Sequence, residues 1–223
     1  MDFFERLSNV PEFLSERDRW RTLIDLTVEH AQIVLVAIGI ATLVGVTLGV
    51  LTYRHPPSAR IVLTITGTFL TIPSLALFAL FAPLFGLGYT PSLVALVLYA
   101  LLPIVRNTIT GLRSVDPAIN ESALGMGLSR SQRLRRIELP MAWPVILTGV
   151  RISTLLILSI AAIAAIVNGP GLGNWILVGL DSPTTTRGFN HAIAGTAAVI
   201  LLAFVLDGVF SLVKYLTTSR GLR

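Results

Sequence analysis

The stretch NESALGMGLSRSQRLRRIELP, residues 120–140, is the most polar long segment after residue 30, and the sequence on both sides of it is apolar. Its punctuation is that of two short helices. Asp116 followed by Pro117 predicts a helix start, because the carboxylate accepts from free backbone N–H groups while proline fits the first turn. Gly127 is placed to end that helix, since glycine enters the left-handed conformation of a helix C-cap without steric cost. Ser129 and Gln132 have the S-x-x-Q spacing of a capping box. They predict a second helix through the basic RLRR run, interrupted at Pro140 and Pro144.

The flanking segments define the solvent. The chain of 223 residues is 53% hydrophobic and 13% charged, with a mean hydropathy of +0.78, a composition suited to a bilayer rather than to an ordinary soluble domain. The absence of cysteine excludes disulfides and thiol chemistry, and His30, His55 and His191 are too scattered to suggest a metal site. The net charge of +5 rests on arginines beside apolar runs, where positive charge orients a membrane protein rather than binding nucleic acid. Charge-poor segments mark five spans. They are residues 31–53; two within 61–105, separated by APLFGLGYTP at 82–91; 145–167, with Arg151 near its start; and 191–216, with Asp207 inside it.

Arginine then sets the sidedness. Residues 54–60 hold two arginines, residues 106–151 hold seven, and the end of the chain carries Lys214, Arg220 and Arg223. The positive-inside rule places these three regions in the cytoplasm, with the N-terminus, the 82–91 turn and residues 168–190 outside. Residues 1–29 carry seven acids against four arginines and no basic start or cleavage site, so a cleaved signal peptide is not expected. Phe3, Phe4, Leu7, Phe13, Leu14, Leu23, Ile24 and Leu26 are spaced as in a helix lying at the membrane interface; a plain polar leader is the alternative. The expected organisation is an interfacial segment 1–29, a membrane domain 30–216 containing the loop 111–140, and a tail 217–223.

A few positions inside the spans stand out. Asp207 is expected to pair structurally with an arginine, because a lone acid is too little for a proton or ion relay. Arg151 is expected to snorkel to the cytoplasmic surface. Ala41, Gly45 and Gly49 recur every four residues and form a face that another helix can approach closely. Thr71, Pro73 and Ser74 interrupt the second span, either freeing backbone groups toward a cavity or kinking the helix for packing. Asn168, Gly169, Gly171 and Gly173, followed by Trp175, read as a glycine-rich re-entry or as an ordinary turn with an interfacial tryptophan. The three tryptophans lie in different regions, so no aromatic cage for a quaternary ammonium group is evident.

Connections between spans are usually short, which favours a docking role for the 120–140 loop over a simple connector. Ile119, Ala123 and Met126 fall roughly on one side of the first short helix, and Glu121 offers a charge to a partner. At this point the chain resembles a known family. Glu121, Ser122, Ala123, Gly127, Ile137, Leu139 and Pro140 are similar to the E-A-A-x(3)-G-x(9)-I-x-L-P signature of permease subunits of ATP-binding-cassette importers, with Ser122 standing where alanine is frequent. The segments TIPSLALFALFAPLFGLGYTPSLVALVLYALLPIVRNTITGL and NGPGLGNWILVGL look like permeases for glycine betaine, carnitine, choline and related osmoprotectants. The resemblance covers about residues 25–216.

The resemblance implies an all-α integral membrane protein with a five-helix permease core of the MetI-like type I form and a cytoplasmic coupling helix in the loop. It fits a multi-pass protein of the inner or plasma membrane, for which the arginine pattern predicts an N-terminus outside and a C-terminus in the cytoplasm. The implied partners are a second permease subunit, identical or not, two ATPase subunits and an extracytoplasmic substrate-binding protein. ATP and Mg belong to the ATPase partners and no cofactor to this chain. In agreement, the phosphate-binding Gly-Lys motif is missing, the single lysine being Lys214 in LVKYL. The resemblance also suggests a gate or binding-protein contact at residues 168–175. Two other readings remain: a permease for methionine or another amino acid, which would share loop and topology, and a non-transport membrane scaffold, which would not need the loop signature.

Overall fold

Hydrocarbon offers backbone N–H and C=O groups no partner, so a chain of this composition must satisfy them within helices. A computed structural model describes residues 3–218, with side chains from residue 6 onward. Among the described residues there is no strand. The elements are α1 (Phe3–Ser8), α2 (Val10–Ser15), α3 (Arg17–Thr52), α4 (Pro56–Thr71), α5 (Ser74–Phe85), α6 (Tyr89–Arg113), α7 (Pro117–Gly125) and α8 (Arg130–Arg133). There follow a π-helical turn (Leu134–Glu138), α9 (Leu139–Ile163), a 3-10 turn (Ala164–Val167), α10 (Gly173–Asp181) and α11 (Thr186–Thr217). The side chains of Phe3 and Phe4, and Arg220 and Arg223 of the tail, lie outside the described residues.

Among the described residues four helical stretches, Arg17–Thr52, Tyr89–Arg113, Arg130–Val167 and Thr186–Thr217, are long and apolar enough to cross a membrane. A fifth crossing exists only as the pair α4 and α5, because the chain bends by 97° at the break between them. The expected single second span is therefore two short helices. Pro73 has no N–H to continue α4; its φ of −57° and ψ of 137° leave the helical region, and its carbonyl accepts from Leu77 N–H to open α5. The first long helix begins at Arg17, so the charged stretch up to Glu29 is continuous with the span that follows it.

The expected interruption at Pro140 and Pro144 does not occur: the helix is continuous from Arg130 to Val167. A proline ring inside a helix presses on the carbonyl four residues earlier. For Pro140 that residue is Arg136, which lies in the wider π-helical turn, where the ladder has slack.

The chain forms two compact units. One comprises the residues up to Ala37, Ile72–Val97 and Thr154–Leu206, and its core gathers Phe13, Leu23, Leu172, Trp175 and Ala194. The other comprises Ile38–Thr71, Leu98–Ser153 and the residues from Asp207 onward, with Tyr53, Ala59, Val105, Ile109, Leu112, Ala142 and Ile146 at its centre. In this second unit the small-residue face of α3 meets α6. A Cβ at Gly49 would lie 2.5 Å from Thr108 Cγ2, and one at Gly45 2.8 Å from Ile104 Cγ2, so only glycine admits this approach.

Candidate functional site

The polar loop folds as a helix, a turn and a helix. Asp116 Oδ1 accepts from Ala118 N–H at 2.8 Å, with Pro117 in the first turn, and so opens α7. At the other end Leu128 N–H donates to Ala123 O at 3.1 Å and Gly127 N–H to Leu124 O at 2.9 Å. This is the bond pair of a Schellman motif, and it requires the left-handed φ of +79° that Gly127 adopts. Ser129 and Gln132 then close a reciprocal capping box: Gln132 N–H donates to Ser129 Oγ at 3.3 Å, and Ser129 N–H to Gln132 Oε1 at 2.8 Å.

The residues expected on one side of α7 separate. Ala123 is completely buried, whereas Ile119, Leu124 and Met126 are exposed, Met126 to 70%. Glu121 and Ser122 are also exposed, Ser122 Oγ donating to Ala118 O at 2.8 Å. The presented surface is thus apolar with one carboxylate. Ile137 is half-buried, Leu139 packs against the core of its unit, and Pro140 is exposed at the start of α9.

Sequence reasoning missed the groups beneath this surface. Glu138, last residue of the π-helical turn, is 2% exposed and is the one buried residue among the aspartates, glutamates, lysines and arginines described. Its carboxylate accepts from the Tyr53 hydroxyl and from Arg54 Nη2, the latter at 2.7 Å, while Arg113 Nε donates to the Tyr53 carbonyl at 2.7 Å. Burial, then the hydrogen bond to Glu138 and its charge, push the Tyr53 hydroxyl up to about 12, so it keeps the proton it donates. A cavity of about 420 Å³ opens beside these groups, lined also by Asn120, Glu121 and Arg133. The available signal was a lone acid in RRIELP, at the mouth of an apolar run.

In the first unit, residues 168–175 form a tight re-entry. Asn168 takes a left-handed φ of 56°, and Gly88 N–H donates to Val167 O at 2.7 Å. Gly171 has a φ of 107°; a Cβ there would lie 2.7 Å from that of His30, and its N–H donates to Glu29 Oε2 at 3.2 Å. A Cβ at Gly169 would meet Ser92 Oγ at 2.6 Å, and one at Gly173 would overlap the Ala162 carbonyl. Asn174 Nδ2 bridges the carbonyls of Gly169 and Gly171 at 3.0 Å each. Trp175 is buried, not interfacial: its ring centroid lies 5.9 Å from that of Phe13 and 5.1 Å from that of His191. These rings fill each other's space, and Arg19 stacks on Phe13 at 4.2 Å. Pro73 and Ser74 belong to this unit and Thr71 to the other, where its hydroxyl donates to Thr68 O at 2.7 Å.

Asp207 receives Arg151 in a two-pronged pair, Nε to Oδ1 at 2.6 Å and Nη2 to Oδ2 at 2.7 Å. Arg151 therefore reaches across to α11 instead of snorkelling to the surface. The planar fork matches the carboxylate, so each neutralises the other inside an apolar segment.

The described residues form a multi-span helical protein with a capped polar loop between spans. Residues 41–215 match the family described as binding-protein-dependent transport system inner membrane component, and the chain belongs to that family. It is 42% identical to the osmoprotectant import permease protein OsmW of Salmonella typhimurium over 206 residues, covering 90% of this chain and 94% of the relative. It is 39% identical to the choline transport system permease protein OpuBB of Bacillus subtilis, covering 88% and 89%. A chain of the methionine transporter MetNI, in an inward-facing conformation, superposes with a TM-score of 0.80 at 20% identity, covering 92% of this chain and all of that one, which establishes the common fold.

The ion pair has a measurable consequence. Asp207→Asn strips Arg151 of its counter-charge and should cost about 1–3 kcal/mol, read as a lower melting temperature of the detergent-solubilised subunit. The double variant Arg151→Gln/Asp207→Asn should recover part of that loss, because it leaves no charge unpaired. A double variant as destabilised as the sum of its singles would rule out direct coupling between the two.

Proposed function

We propose that the chain is the permease of an ATP-driven importer for compatible solutes of the glycine betaine, carnitine and choline type. The observation that carries this reading is the identity of 42% and 39% to osmoprotectant and choline permeases across about nine-tenths of the chain. In this reading two permease subunits, identical or related, enclose the path. Two ATPase subunits bind ATP and Mg beneath them, and an extracytoplasmic binding protein delivers the solute. The arginine distribution supports an N-terminus outside and a C-terminus in the cytoplasm, which puts α7 on the ATPase side.

Glu121, Ser122, Ala123, Gly127, Ile137, Leu139 and Pro140 then belong to the coupling loop. The exposed Leu124 and Met126, with Glu121 beside them, offer an apolar patch and one charge to a groove. ATP-driven closure of the ATPase pair supplies what a conformational switch requires, a partner that binds two states differently. The tight re-entry at Asn168, Gly169, Gly171, Gly173 and Trp175, and the break at Thr71, Pro73 and Ser74, are the gate elements of this reading. Their irregular backbone is of the kind a membrane protein tolerates only where it is buried or lines a cavity.

The experiment is uptake. Cells stripped of other uptake systems and expressing this permease with its ATPase and binding protein should accumulate labelled glycine betaine, carnitine or choline in an ATP-dependent way. Accumulation of methionine without any methylated amine would assign the protein to amino-acid import instead. A second expectation concerns the loop: Gly127→Val places a β-branched residue at φ +79°, and Glu121→Lys reverses the presented charge. Both variants should insert normally, yet retain at least several-fold less ATPase on affinity purification. Wild-type retention in both would return the loop to the status of a connector.

A further inference from the structure

The coupling loop leaves the membrane domain at Arg113, the last residue of α6, and rejoins it at Glu138, just before α9. Both points bond to one dipeptide. Arg113 Nε holds the Tyr53 carbonyl at 2.7 Å, while Glu138 holds the Tyr53 hydroxyl and, at 2.7 Å, the Arg54 guanidinium. Tyr53 and Arg54 form the short connection between α3, which ends at Thr52, and α4, which begins at Pro56. The two roots of the loop are therefore tied to the α3–α4 connection, all within one compact unit.

We propose that Tyr53, Arg54, Arg113 and Glu138 form a transmission clamp that passes displacement of the coupling loop to the α3–α4 connection. The proposal rests on the reading of residues 111–140 as the ATPase contact. Three physical points support it. A carboxylate that is only 2% exposed tolerates little separation from its cationic partner, so Glu138 and Arg54 move together or at large cost. Tyr53 is buried at 8% exposure and is bonded through both its carbonyl and its hydroxyl, so the two roots share a stiff aromatic side chain rather than a flexible one. Glu138 also closes a π-helical turn, a local widening that recurs where helices carry functional groups. Tyr53 and Glu138 are buried, while Arg54 and Arg113 reach solvent with their guanidinium groups held by Glu138 and by the Tyr53 carbonyl; all four are positioning residues that act through the loop.

The test uses the assembled transporter in liposomes and reads substrate imported per ATP hydrolysed. Glu138→Gln and Arg54→Gln should keep the ATPase subunits bound and still hydrolyse ATP, while import per ATP falls several-fold. The exchange Arg54→Glu/Glu138→Arg should restore a substantial part of the ratio. Should Glu138→Gln fail to accumulate in the membrane, Tyr53→Phe, which deletes one oxygen, decides by the same ratio. An unchanged ratio in the single variants with ATPase retained would overturn the clamp. Loss of ATPase from these variants would also overturn it, because it would make them docking determinants. Failure of the underlying reading looks different: there the wild-type loop would not hold the ATPase, and Gly127→Val would change nothing.

Discussion

A bilayer cannot hydrogen-bond a peptide group, and the form of this protein follows from that constraint. Apolar runs of this length cross it as helices, and every departure from a helix must be compensated locally. At Pro73 the break is taken up by Leu77 N–H on the proline carbonyl. Before Pro140 it becomes a π-helical turn, and at residues 168–174 the amide of Asn174 collects the carbonyls that the turn exposes. Charges obey the same rule: Arg151 and Asp207 neutralise each other, and Glu138 has both a guanidinium and a phenol.

The same economy explains how a polar loop is mounted on an apolar body. Asp116, Gly127 and the Ser129–Gln132 box make the loop a defined object rather than a flexible tether. Its outer face carries Met126 and Glu121, while Ala123 turns inward and lets α7 sit close to its support. A rigid loop joined to the body at Arg113 and Glu138 is bonded at both ends to one place, the connection that begins with Tyr53 and Arg54, and in the proposed clamp motion would arrive there. A flexible loop would dissipate it.

Much of this was legible in the sequence because the signals were local. Asp116-Pro117, Gly127 and S-x-x-Q act within a few residues, and charge gaps report spans without reference to partners. Pro140 misled because proline's effect depends on whether the preceding turn can widen, which its immediate neighbours do not reveal. Met126 and Ala123 were grouped by helical spacing, yet the Schellman turn and the packing of Ala123 part them. The bonds from Glu138 to Tyr53 and Arg54 span more than eighty positions, with |i−j| of 85 and 84, and no periodicity encodes them. His30, completely buried against the re-entrant Gly171, was invisible for the same reason.

The central claim is that the exposed loop meets an ATPase on the cytoplasmic side and moves with it. The chain has no cysteine, so a single cysteine at Met126, 70% exposed, reports without background. Thiol cross-linking from this position to single cysteines on the ATPase surface in inside-out vesicles should give a covalent permease–ATPase product whose yield changes when ATP and Mg are added. No product from any ATPase position, together with labelling of the same cysteine by an impermeant thiol reagent applied to intact cells, would contradict both the contact and the sidedness.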